Sequence, residues 1–213
     1  MSQQHFHSVI LEEDKCIGCT NCIKRCPTEA IRVKDGKARI IKERCVDCGE
    51  CIRICPQHAK NAITDPIDTI ERFQYKIALP APSLLGQCDE TAVAPAKILS
   101  ALKEIGFDEI FEVSRGADIV SYYTKELLKN PKALPLISSS CPAIVRIIQI
   151  RFPTLIENIA PIEPPVEIAA KIAREKAAEK TGLDPKEIGT FFISPCAAKM
   201  TSVKSPIGQE VSH

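Results

Sequence analysis

The sequence predicts two parts of different class: an α+β domain organised around cysteines, followed by an α/β part whose sheet is mainly parallel. Three observations carry this expectation. Eight of the eleven cysteines fall in two copies of one pattern, C-x2-C-x2-C-x3-C-P, the second starting 29 residues after the first. Beyond about residue 65 cysteines thin out, and strand-like runs alternate with runs of helical period, as in a parallel sheet with crossover helices. Between the two lies Asp65-Pro66, a turn-initiating pair. The expected division is 1–66 and 67–213.

In the first part, Cys16, Cys19, Cys22 and Cys26 precede Pro27, and Cys45, Cys48, Cys51 and Cys55 precede Pro56. This is the spacing of the bacterial two-cluster ferredoxin run, in which thiolates hold [4Fe–4S] cubanes. Two intervening residues let a tight loop turn three thiolates toward one cube, while the fourth cysteine ligates the other. The expected ligand sets are Cys16, Cys19, Cys22 and Cys55 for one cluster, and Cys45, Cys48, Cys51 and Cys26 for the other. Each proline lacks an N–H and fixes φ, which turns the chain away after the ligand. Zinc is the alternative, since paired C-x2-C motifs also suit tetrahedral sites. A four-cysteine run that ends in Cys-Pro and is then duplicated favours iron–sulfur. Ile31 to Val33, Asp35-Gly36 and Ala38 to Ile41 read as a hairpin joining the halves, because Asp-Gly between β-rich runs is a strong turn signal.

The second part opens with Ile67 to Gln74 as a short linking helix and Tyr75 to Leu79 as a strand. Asp89 caps a helix expected to reach Ile105, kinked where Pro95 interrupts it. Ile110 to Val113 reads as a second strand, Ala117 to Leu128 as a helix, and Leu134 to Ser138 as a third strand. Pro142 to Arg151 is a helix with proline in its first turn, where proline is tolerated. Pro164 to Lys180 is a helix with a solvated Lys/Glu face, stopped near Gly182. Thr190 to Ile193 is a fourth strand.

Three of these strands run into similar chemistry. The first enters Pro80-Ala-Pro82-Ser83, the third Ser138-Ser-Ser140-Cys141-Pro142, and the fourth Ser194-Pro-Cys196-Ala-Ala-Lys199. Ligands of open α/β sheets bind beyond the carboxyl ends of the strands, and thiolates are stabilised at helix starts. Cys141 and Cys196 therefore look like two ligands aimed at one crevice. The competing reading makes both small buried core residues. Cys88 is expected to be structural or incidental. His5 and His7 fall in a polar terminus expected to be disordered, and His58 is expected in a surface loop.

Taken together, the two cysteine runs, then Ser-Ser140-Cys141-Pro, then Pro-Cys196-x-x-Lys199, resemble the iron-only ([FeFe]) hydrogenase large subunits. The resemblance extends over residues 8–209 and includes Ala81-Pro82-Ser83, Gly106-Phe-Asp and Gly116-Ala-Asp. It implies a ferredoxin-type domain followed by the first part of a catalytic H-domain. In that family the two later motifs, with a third that supplies two more cysteines, hold a [4Fe–4S] cube joined to a two-iron centre. By position, Cys141 and Cys196 resemble the first two of those ligands. Lys199 resembles the lysine that contacts a cyanide of the two-iron centre, and Pro82 and Ser83 resemble contacts near it. The family's first motif is typically Thr-Ser-Cys-Cys-Pro, and its first cysteine relays protons. Here that position is Ser140, and serine has no accessible thiolate near neutral pH. The second motif typically begins with methionine, which is Ser194 here. Such replacements resemble divergent, sensory members.

No third cysteine motif occurs within the 213 residues. The resemblance thus implies two [4Fe–4S] clusters and an incomplete third iron–sulfur or H-cluster site, a truncated H-domain unless a missing segment or a complementing subunit supplies ligands. The implied role is single-electron relay through two cubanes to or from a hydrogenase-like domain, or hydrogen sensing. The alternatives are an active hydrogenase component and a structural iron–sulfur scaffold. The expected partner is a redox protein or a downstream signalling domain. A net charge of +1 gives no sign of nucleic-acid or membrane binding. The polar first residues lack the apolar core of a signal peptide, and an odd cysteine count argues against a disulfide framework, so a reducing, anaerobic cytoplasm is expected.

Overall fold

The two cysteine runs fold as two copies of the same loop and helix. The computed structural model describes residues 6–87 and 95–204. After β1 (Val9–Leu11), the loop from Cys16 leads into α1 (Asn21–Arg25). The hairpin follows as predicted, with β2 (Ile31–Lys34) antiparallel to β3 (Lys37–Ile40) and Ile31 opposite Ile40. Asp35 and Gly36 at its turn both have left-handed backbone, with φ of 55° and 73°, as a two-residue hairpin turn of this hand requires. The loop from Cys45 then leads into α2 (Glu50–Arg53), and β4 (Lys60–Ala62) returns antiparallel to β1. Left-handed backbone recurs at matched places 29 residues apart, at Gly18 and Asp47, Thr20 and Gly49, and Glu29 and His58. The duplication is therefore conformational as well as sequential.

Contacts gather the chain into two compact units. One comprises the described residues of Met1–Thr64, Pro131–Pro161 and Cys196–His213, and the other those of Asp65–Asn130 and Ile162–Pro195.

The second unit contains a three-stranded parallel sheet. Its strands are β5 (Tyr75–Pro80), β6 (Glu109–Ile110) and β7 (Ile188–Ile193), with β5 in the centre. The expected link at 67–74 is a 3₁₀ helix at Ile67–Arg72. Short α3 (Pro82–Leu85) follows β5, and α4 (Pro95–Glu104) precedes β6. The described part of α4 begins at Pro95, so the expected kink there lies at the edge of the described residues. Asp89 and Cys88 lie outside the described residues. The expected strand at 110–113 is shorter, because the chain turns into α5 (Ser114–Lys129) at Val113. Long α7 (Pro165–Thr181) ends at Gly182, left-handed at φ 73°, the expected glycine stop.

Both faces of this sheet are covered, as a parallel sheet requires. Ile77 and Leu79 of β5 pack with Val166, Ala169, Ala173 and Ala177 of α7 on one face. Ala78 packs with Ile70, Leu102 and Phe107 on the other. Gly116 permits the close passage of α5 and α7, since a Cβ there would lie 2.1 Å from the Pro165 carbonyl oxygen.

The first unit also holds α6 (Pro142–Arg151) and α8 (Ala197–Lys204). The expected strand at 134–138 does not form. Only Ile137 makes an isolated parallel bridge, to Ile159. Pro135 can donate no ladder hydrogen bond, so this apolar stretch packs Ile137 against Val145, Ile148 and Ile159 instead. Ser138 to Cys141 thus leads into α6 from a turn and not from a sheet strand.

Candidate metal centre

Each cysteine run supplies three thiols to one cavity and one to the other. One cavity is lined by Cys16, Cys19, Cys22 and Cys55, the other by Cys45, Cys48, Cys51 and Cys26. These are the two quartets expected from the spacing. A tetrahedral zinc with Zn–S near 2.3 Å would draw its thiols to about 3.8 Å of one another. Among the described residues, the only group of three or more ligand-type side chains within 4.8 Å is His7, Cys45 and Asp47. Neither quartet is closed to zinc dimensions, and four thiols spread around a cavity suit a cubane.

Backbone amides point at the sulfurs. The Ala30 N–H donates to Cys26 Sγ at 3.2 Å, and the Ala59 N–H to Cys55 Sγ at 3.3 Å, again 29 residues apart. Ala38 N–H donates to Cys16 Sγ at 3.4 Å. Such bonds favour the thiolate and tune a cluster bound to it. Burial pushes the Cys45 thiol up to about 12, with the Asp47 carboxylate adding to the effect. Burial also pushes Cys51 up to about 12, and raises Cys22 and Cys48. At Cys16 burial acts the same way, but the amides of Ala38 and Gly18 and the cations Lys60 and Lys37 outweigh it, and the thiol is lowered. Iron ions are the kind of positive charge that makes buried thiolates stable.

Sequence reasoning missed two residues here. Asp47 is 2 % exposed, accepts a 3.0 Å bond from the Val9 N–H, and faces His7 Nδ1 at 2.8 Å. His7 is thereby fixed, contrary to the disorder expected of the terminus; His5 lies outside the described residues. Lys60 is 2 % exposed and lines the first cavity. The signal for both was the 29-residue offset, which places Asp47 opposite Gly18 and Lys60 opposite Ile31. His58 is exposed in its loop, as expected.

Cys141 and Cys196 fall in the same unit as the quartets. Cys141 is exposed at the N-cap of α6, while Cys196 is half-buried just before α8. Val46, beside Cys45, forms one buried cluster with Ala143 and Ala198, each two residues beyond one of these cysteines, and Cys196 packs against it. The Ser8 hydroxyl donates to the Ala197 carbonyl at 2.7 Å and its N–H to Thr201 Oγ1 at 3.2 Å, which ties the start of β1 to α8. Lys199 Nζ donates to the Ser140 carbonyl at 2.9 Å, joining the two motifs. Ser140 Oγ accepts from Ser138 Oγ at 3.1 Å. Pro82 and Ser83 open α3 in the second unit, where the Ala81 N–H donates to the Ile193 carbonyl at 2.9 Å and so joins the ends of β5 and β7. No described helix is long and apolar enough to cross a membrane.

Residues 74–210 match the iron-only hydrogenase large subunit, C-terminal domain, and residues 8–56 match the 4Fe-4S dicluster domain. The chain is 31% identical over 212 residues to the periplasmic [Fe] hydrogenase large subunit of Nitratidesulfovibrio vulgaris, covering 91% of this chain and 50% of that protein. It is 25% identical over 212 residues to the NADP-reducing hydrogenase subunit HndD of Solidesulfovibrio fructosivorans, covering 92% and 32%. A variant of the [FeFe]-hydrogenase HydA1 from Chlamydomonas reinhardtii shares the fold, with a TM-score of 0.51 at 24% identity over 66% of this chain and 36% of that one. The chain spans half or less of the length of these curated relatives. With a ferredoxin-type 4Fe–4S domain ahead of the hydrogenase motifs, this chain belongs to the iron-only hydrogenase large-subunit family.

Proposed function

We propose that the chain relays single electrons through two [4Fe–4S] clusters, to or from a hydrogenase-like site that begins at Cys141 and Cys196. The ligands are Cys16, Cys19, Cys22 and Cys55 for the first cluster, and Cys45, Cys48, Cys51 and Cys26 for the second. A cubane held by four thiolates would supply one-electron redox chemistry. This chain's residues set where the electron goes. Cys19 of the first quartet and Cys48 of the second are both exposed, and each offers a port for a redox partner. At the other end, the observation that carries the reading is the packing of Val46 with Ala143, Ala198 and Cys196, which brings the second quartet's loop against both later motifs. Within them Cys141 and Cys196 are candidate ligands of a third site, and Lys199 and Ser140 candidate flanking groups. Ser140 in place of a proton-relaying cysteine supports slow cycling, hence relay or hydrogen sensing over rapid turnover.

Cross-ligation gives the test. Cys26→Ser is expected to perturb the cluster built on Cys45, Cys48 and Cys51, and Cys55→Ser the one built on Cys16, Cys19 and Cys22. Electron paramagnetic resonance of each reduced variant, compared with Cys45→Ser and Cys16→Ser, reads this directly. If Cys26→Ser instead reproduces the spectrum of Cys16→Ser, the quartets are wrong. An active hydrogenase component, the second reading, predicts hydrogen-dependent isotope exchange that Cys141→Ser abolishes.

A further inference from the structure

The two halves superimpose in sequence at an offset of 29 residues, and the two cavities inherit that correspondence. Each cavity is lined by the residue five positions beyond its cross-supplied cysteine. In the second cavity, after Cys26, this is Ile31; in the first, after Cys55, it is Lys60. Both are 2 % exposed. Lysine is rarely buried this completely without a charge to answer it, and its ammonium acts on Cys16 and Cys22 of the first quartet and reaches Cys51 of the second. A second pair breaks the symmetry the other way. Asp47, which lines the second cavity, corresponds to Gly18, which lines the first. Its carboxylate is 2 % exposed and acts on Cys45. The first cavity thus holds a buried cation where its twin holds isoleucine. The second holds a buried anion where its twin holds glycine.

We infer that Lys60 and Asp47 set the two clusters at different reduction potentials, the first cluster higher than the second. Resting on the two-cluster reading above, the inference follows from which charged group lines which cavity, Lys60 the first and Asp47, with His7 Nδ1 2.8 Å from its carboxylate, the second. Reduction adds an electron to each cluster; a buried cation stabilises the reduced form and a buried carboxylate opposes it. Burial keeps both effects from being screened by salt. An electron shared by the pair is then held on the first cluster until something downstream draws it across. Lys60 and Asp47 act through the clusters and are positioning residues for the electron.

The test is a potentiometric titration, followed by electron paramagnetic resonance, of wild type and of Lys60→Ile, Lys60→Arg and Asp47→Asn, each with its iron content. Lys60→Ile installs the side chain its twin site already carries; Asp47→Asn keeps an acceptor for the Val9 N–H. Wild type should show two one-electron waves whose oxidised-to-reduced ratios differ at least tenfold at a common potential, about 59 mV. Lys60→Ile should lower the upper wave at least tenfold in that ratio, Lys60→Arg should leave it in place, and Asp47→Asn should raise the lower wave. Coincident waves in wild type, or waves that Lys60→Ile leaves unmoved at full iron content, would overturn the inference while leaving the two-cluster reading intact. Loss of iron from Lys60→Ile with Lys60→Arg fully loaded would assign the lysine to holding the cluster and would equally overturn it. A wild-type iron content below that of two cubanes would instead sink the reading beneath it.

Discussion

Lys199 Nζ donates a 2.9 Å hydrogen bond to the carbonyl oxygen of Ser140, linking the turn before α6 to the first turn of α8 across 59 residues of sequence. A charged donor on a half-buried carbonyl is worth roughly 1.5–3 kcal/mol. Lys199→Met should lower the unfolding free energy by about that much in a urea titration of iron-loaded protein, with both clusters retained.

Val46 and Ile17 are twins by sequence and opposites by environment. Each follows the first cysteine of its run, yet Val46 is 5 % exposed and Ile17 is 64 % exposed. Val46→Asp buries a carboxylate among Ala143, Ala198 and Ile147 and should cost about 3 kcal/mol or more. Ile17→Asp should fall within about 0.5 kcal/mol of wild type. Paired thermal melts of the loaded proteins check the contrast.

Gly116 and Gly36 separate two reasons for glycine. At Gly116 an added methyl meets the Pro165 carbonyl at 2.1 Å, so Gly116→Ala must push α5 and α7 apart and should destabilise by roughly 2 kcal/mol or more. At Gly36 nothing lies within 4 Å, but φ is +73°, so Gly36→Ala should cost only about 1 kcal/mol. Denaturant midpoints at constant m-value distinguish the two.

In the second unit, Glu109 accepts from the Tyr75 hydroxyl at 2.8 Å and from Lys180 Nζ at 3.0 Å. Partial burial opposes its charge, but the two donors outweigh it and hold the carboxyl below the ordinary value. A depressed carboxyl stabilises the fold above its unfolded-state value of 4.5, and that contribution disappears as pH falls through the lower folded value. Stability should therefore fall on acidification below about pH 4.5, and Glu109→Gln should flatten that part of the curve. Tyr75 is raised, by burial and by Glu109, so its contribution is present below its ordinary value and lost at strongly alkaline pH.

The grouping of the cysteines around two cavities was legible because x2 gaps close one loop on three thiols, and the remote fourth cysteine lines the other cavity. The hairpin was legible from Asp35-Gly36, and the end of α7 from Gly182, since both are local demands on φ. The strand expected at 134–138 was misread because apolar composition outweighed Pro135, whose missing N–H denies it a ladder. The joining of residues 131–161 and 196–204 to the unit that holds the quartets was not legible. It depends on non-local packing, such as Val46 with Ala143 and Ala198, that no periodicity records. Lys60 and Asp47 were visible only by laying one half of the cysteine domain over the other and asking where a charge stands in place of an uncharged twin.

The most direct test is iron content per chain in anaerobically reconstituted protein, with electron paramagnetic resonance after dithionite reduction. Two cross-ligated cubanes require about eight irons from the ferredoxin-type quartets and the signature of two interacting reduced clusters. That count should hold in a Cys141→Ser, Cys196→Ser double variant, in which those eight ligands and Cys88 are the cysteines that remain. About four irons, or zinc in place of iron, would contradict it.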